Sequence, residues 1–83
     1  MLKTIRQASV RPNYKVRLRY SDGKTVVVDF SPLIKKGGVF KALSNPKVFA
    51  RVSIGDRGRF IEWPGHIDFC ADALRHKGSP VLA

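Results

Sequence analysis

Along residues 14–30, YKVRLRYSDGKTVVVDF, apolar and charged residues alternate almost one for one. Tyr14, Val16, Leu18 and Tyr20 fall on one side of an extended chain and Lys15, Arg17 and Arg19 on the other. That is the period-two pattern of a strand with one buried face. Past the turn, Val26, Val28 and Phe30 alternate with Thr25, Val27 and Asp29. Turn length decides the register. A two-residue Asp22-Gly23 loop would oppose Leu18 to Val27 and turn the two apolar sets apart. A three-residue Ser21-Asp22-Gly23 loop, with Gly23 in the left-handed bulge position, pairs Leu18 with Val26, Val16 with Val28 and Lys15 with Asp29. This second register is the expected one.

A second hairpin is expected in VFARVSIGDRGRFIEW, where Val48, Ala50, Val52 and Ile54 point one way and Ile61 and Trp63 match them across a turn. A loop of two residues (Arg57-Gly58) or four (Gly55 to Gly58) keeps that matching, and a loop of three breaks it. Between the hairpins, SPLIKKGGVFKALSNP reads as two brief helical turns over the sheet edge. Pro32 lies just inside the first, Gly37-Gly38 ends it, and Asn45-Pro46 stops the second. Thr4 to Arg11 alternates loosely, as an edge strand closed by Pro12-Asn13. After Pro64-Gly65, Ile67, Cys70, Ala71 and Leu74 fall at i, i+3, i+4 and i+7, the buried stripe of a short helix. Asp68 or Asp72 suits its start, Arg75, His76 and Lys77 suit its last turn, and Gly78 ends it. The expected fold is α+β: one small antiparallel sheet of about four or five strands in two hairpins, short helical turns, and a short carboxy-terminal helix, in a single domain over residues 1–83.

Charge changes the picture more than composition does. Sixteen Lys and Arg against six Asp and Glu give a formal net charge of +10 on 83 residues, a field that concentrates polyanions. One cysteine forms no internal disulfide, and no stretch has the length of a membrane span or the apolar core of a signal peptide. A cytoplasmic protein that leaves membranes alone is expected.

Candidate chemistry is thin. His66 with Cys70, and Asp72 with His76, are each four residues apart. On one helix the midpoints of the two pairs lie roughly 120° apart around the axis, too far to close on one metal ion. Cys70, on the apolar stripe, is expected to be buried and inert. IKKGGVFK lacks the spacing of a phosphate loop, GDRGRF fits a hairpin turn better than an RNA motif, and Trp63 before Pro64 fits a core anchor better than a stacking platform. The serines have no histidine at a useful spacing, and Asp22, Asp29, Asp56 and Glu62 fall in turns or on polar faces. No catalytic residue, metal site or cofactor is expected.

The hairpin YKVRLRYSDGKTVVVDFSPLI, the stretch VFKALSNPKVFARVSI and the step IEWPGHIDFCADAL, in that order, resemble the bacterial domain of unknown function called family 2442, from about Val10 to Leu74. Pro64-Gly65-His66 stands where that family usually has Pro-Asn-Gly. The resemblance implies a small α+β fold with an antiparallel sheet, and it does not imply an enzyme. It also implies a possible place in a two-gene pair of the toxin and antitoxin kind. Some members carry a fused DNA-binding helix-turn-helix; in a chain ending at Ala83, any DNA contact is expected from the sheet face or from a partner.

Two functions follow as expectations. The first is a non-enzymatic interaction module with a protein partner, a second copy of the chain included, since an open sheet leaves edge strands to cover. The alternative is direct binding of nucleic acid, without sequence preference, through Lys15, Arg17 and Arg19, with Arg51, Arg57 and Arg59 extending the patch.

Overall fold

Strict alternation produces the strands it predicts. In the computed structural model, which describes residues 4–65 and 67–80, β1 (Ile5–Arg11), β2 (Lys15–Tyr20) and β3 (Thr25–Asp29) form an antiparallel meander. Val16 pairs with Val28, Leu18 with Val26 and Lys15 with Asp29. The three-residue turn therefore holds, with Gly23 at φ 87°. Thr4 to Arg11 supplies the edge strand, as expected.

The next segment makes α1 (Ser31–Lys36), a 3-10 turn (Gly38–Ser44) and α2 (Pro46–Phe49). Val48 to Ile54 was expected to be a strand, yet only β4 (Ser53–Ile54) is extended. Asn45-Pro46 stops one turn and also starts the next, because the Asn45 side chain accepts the Lys47 backbone N–H. Phe49, not Val48 or Ala50, then enters the core. After a short turn (Asp56–Gly58), β5 (Phe60–Trp63) pairs with β4, Ile54 lying opposite Ile61. The same-side matching of those two residues survives in the register of the two-residue Arg57-Gly58 loop: the Arg59 N–H donates to the Asp56 carbonyl at 3.0 Å across Arg57 and Gly58, both at positive φ.

Ile67 to Cys70 depart from the expected helix. These residues are not helical; they form β6, with Ile67 opposite Trp63 and Phe69 opposite Ile61. Ile67 and Phe69 turn inward, so Asp68 and Cys70 turn outward, and the expected buried cysteine is exposed. Only α3 (Ala71–Lys77) is helix, burying Ala71 and Leu74. Three of the four stripe residues are inside, by a strand-to-helix junction in place of one continuous helix. β7 (Ser79–Pro80) then pairs with β3.

The single sheet expected from the two hairpins does not form. The strands divide into a four-stranded sheet, in the order β1, β2, β3, β7, and a three-stranded sheet, in the order β4, β5, β6. The second hairpin packs on the first sheet through side chains instead of extending its ladder. Phe30 meets Trp63 at 5.2 Å and Phe69 at 5.1 Å, and Phe49 stacks on Trp63 at 5.5 Å. The buried Trp63 indole N–H donates to the Phe49 carbonyl at 2.8 Å, so the tryptophan is the core anchor expected of it. Gly58 seats the second sheet's turn against β1: a Cβ there would lie 2.4 Å from the Ile5 carbonyl oxygen, and its φ is 76°.

Candidate nucleic-acid interface

Each outward residue of β2 has a polar partner on β1. Lys15 faces Arg11, Arg17 faces Ser9, and Arg19 faces Gln7. Alternation carries these side chains to the side away from Val16 and Leu18, both fully buried. Between Ile5 and Gln7 the register shifts by a bulge, leaving Arg6 as the extra residue of β1. Arg6 is exposed, and with Gln7, Arg19, Tyr20, Ser21 and Gly23 it lines a depression of about 450 Å³, although Tyr20 itself is buried in the core. A neighbouring depression of about 290 Å³ is lined by Gln7, Ser9, Arg17, Arg19 and Thr25. Gln7 and Arg19 belong to both, which makes a groove carrying three guanidinium groups and no carboxylate.

A carboxylate borders the Lys15 end of this face. Asp29 accepts from the Ser31 hydroxyl at 2.7 Å and the Ser31 N–H at 2.9 Å. Those bonds, and then Lys15 and Lys35, hold its carboxyl below the usual range. It is therefore ionised opposite Lys15 at neutral pH. The Lys15 end of the face is partly neutralised, and the Arg6, Arg17 and Arg19 end is not.

The other expected cations lie in the connections before and between the strands of the second sheet, not on the strands themselves. Arg51 opens onto a separate depression of about 390 Å³ with Ser53, Glu62, Trp63, Pro64 and Gly65. Arg57, at φ 53°, follows Asp56 in the turn, and Arg59 precedes β5. All three are exposed. The periodic reading did not include Arg6 and Arg11. Arg11 was signalled by its place opposite Lys15 once β1 is paired; Arg6 depends on the bulge, which sequence does not announce.

The second sheet presents the opposite sign: Glu62 and Asp68, both exposed, are direct cross-strand neighbours. Arg75 of α3 is occupied elsewhere. Its guanidinium donates to both Asp22 oxygens, at 3.0 and 2.7 Å, and lies 4.9 Å from the centre of the Tyr20 ring. The buried Tyr20 hydroxyl donates to the Ala71 carbonyl at 2.6 Å, and burial pushes its pKa up to about 12. These contacts clamp α3 to the β2–β3 turn.

Among the described residues no group of three or more His, Cys, Asp or Glu could hold a metal ion. His66 lies outside the described residues. Cys70 ends β6, whereas Asp72 and His76 are exposed on α3, so the one-helix arrangement does not arise. No helix among the described residues is long and apolar enough to cross a membrane.

These features define a class: a small α+β domain of two antiparallel sheets, with one strongly basic sheet face. More narrowly, residues 5–80 match the family model described as a protein of unknown function, DUF2442, and the chain belongs to that family, as its motifs implied. No curated protein matches the chain. A crystal structure from Nitrosomonas europaea, described as a "putative DNA binding protein", has the same fold, with a TM-score of 0.80 at 22% identity. The likeness covers 93% of this chain but 49% of that one, so this chain spans about half the length of that relative.

Proposed function

We propose that this chain is a non-enzymatic binding module of the cytoplasm that holds nucleic acid by its phosphates, without reading sequence, on the outer face of β1 and β2. The observation that carries this reading is the groove in which Arg6, Arg17 and Arg19 stand among Gln7, Ser9, Ser21 and Thr25 with no carboxylate in its lining. Lys15 and Arg11 continue the row. Outward residues two apart on a strand are about 6.5 to 7 Å apart, so the row presents a regular line of charge. β2 is flanked on both sides by strands. It is therefore part of a sheet plane, not the free two-stranded ribbon that fits a major groove, and contact stops at the backbone. The description of the Nitrosomonas europaea protein accords with this reading, although half of that chain has no counterpart here.

The test is a salt titration of binding to mixed-sequence DNA. Five cations on the face predict a log-log slope of about −3 to −5. Arg17→Glu weakens binding equally for all sequences and makes the slope shallower by about one for each contact removed. No binding at low salt would end the proposal.

A second reading rests on a different observation. β1 is the end strand of its sheet, and its Ser9 to Arg11 end is exposed, with Val10 38% accessible. A protein strand added there, from a second copy or from the product of a neighbouring gene, would cover Val10 and pair the β1 backbone. Sedimentation of the purified chain tests the self-pairing form: a monomer at all concentrations excludes it.

A further inference from the structure

We infer that the nucleic acid held on this face is double-stranded, and that single strands are bound more weakly. This rests on the nucleic-acid reading above and goes further, because it names the form of the ligand. Sheet surfaces that hold single strands combine cations with aromatic side chains on which unpaired bases stack. The outer face of β1 and β2 has the cations and no exposed ring; Tyr20, which borders the larger depression, is only 1% accessible. The paired outward residues of the face are Gln7, Ser9, Arg11, Lys15, Arg17 and Arg19, and the bulge adds Arg6.

The chain has eight aromatic residues, and none is exposed. Tyr20, Phe30, Phe49 and Trp63 are buried in the core. Tyr14, Phe40 and Phe69 pack against it, half-buried. Phe60 lies over Gly55, where its ring occupies the space a Cβ would take. An unpaired base brought to the face would meet guanidinium, ammonium, amide and hydroxyl groups and no exposed ring. Ionic attraction remains, and it favours the form with more phosphate charge per unit length, the duplex, with one charge per roughly 1.7 Å of axis. The clearance of rings from this face is the opposite of what a single-strand platform requires.

The experiment compares one mixed-sequence 20-base-pair duplex with each of its separated, labelled strands, by fluorescence anisotropy at low salt. Duplex is expected to bind at least roughly tenfold more tightly than either strand, with the steeper salt dependence. Arg17→Tyr places a ring at the middle of the exposed face, where folding is undisturbed. It is expected to narrow the preference by weakening duplex binding and strengthening single-strand binding. Single strands bound as tightly as duplex, or more tightly, would overturn the inference and leave phosphate binding standing. Absence of binding to either form would overturn both.

Discussion

The two sheets of this domain are built by different means. In the first, β1, β2 and β3 run five to seven residues, and backbone ladders hold them in register. In the second, β4 has two residues and β5 and β6 have four each. So short a ladder is marginal alone, and the sheet depends on Ile61, Trp63 and Ile67 being driven against the first. Their outer faces differ in the same sense. The first carries Arg11, Lys15, Arg17 and Arg19; the second sets Glu62 against Asp68. One sheet is secure enough to spread charge over its exposed face, and the other is held from within.

Removing the internal anchor of the second sheet is therefore the harshest test. Trp63→Ala deletes the ring that meets Phe30, Phe49 and Phe69, together with the bond to the Phe49 carbonyl. It is expected to cost about 3 to 5 kcal/mol in urea unfolding. Arg17→Ala on the first sheet is expected to change stability by less than about 0.5 kcal/mol. Similar losses for the two would remove the distinction between a sheet held by packing and one held by its ladder.

The same contrast explains what the sequence disclosed. The β2–β3 hairpin was legible to the residue because apolar alternation, turn length and Gly23 all demand one register. The family motifs were legible too. Val48 to Ile54 misled because period-two spacing there is coincidental and the residue that packs, Phe49, falls between the apparent inward positions. Ile67 to Leu74 misled because a strand followed directly by a helix can bury residues at helical spacing. Division into two sheets is set by Phe30 meeting Trp63 and Phe69, contacts between residues far apart in the chain that no local pattern encodes. Of the basic face, Lys15, Arg17 and Arg19 followed from alternation, whereas Arg6 required the bulge.

A smaller effect probes the clamp that closes the first sheet's turn. Tyr20→Phe leaves the Ala71 carbonyl without its buried donor and is expected to cost about 1 to 2 kcal/mol. The pH dependence has a definite sign. Burial raises the Tyr20 pKa from 10.0 to about 12 in the folded chain. Below pH 10 the phenol is protonated in both states and its contribution is complete. Between about pH 10 and 12 the unfolded chain ionises first, so stability falls as pH rises. Urea midpoints across that range should fall more steeply for the wild type than for Tyr20→Phe. Parallel curves would mean that the phenol is not shielded.

The gentlest change addresses the outer face of the second sheet. Glu62 and Asp68 sit directly opposite each other, a placement that opposes pairing in a sheet with little ladder to spare. Asp68→Lys turns the repulsion into attraction across the same pair of positions. Because both residues are exposed, the gain is limited to about 0.2 to 1 kcal/mol, and salt should erode it. Asp68→Asn separates the causes: it removes repulsion without adding attraction and should yield the smaller part of that gain. If both substitutions destabilise the domain, the acidic pair supports the second sheet, and the contrast between a face free to carry charge and one burdened by it is wrong.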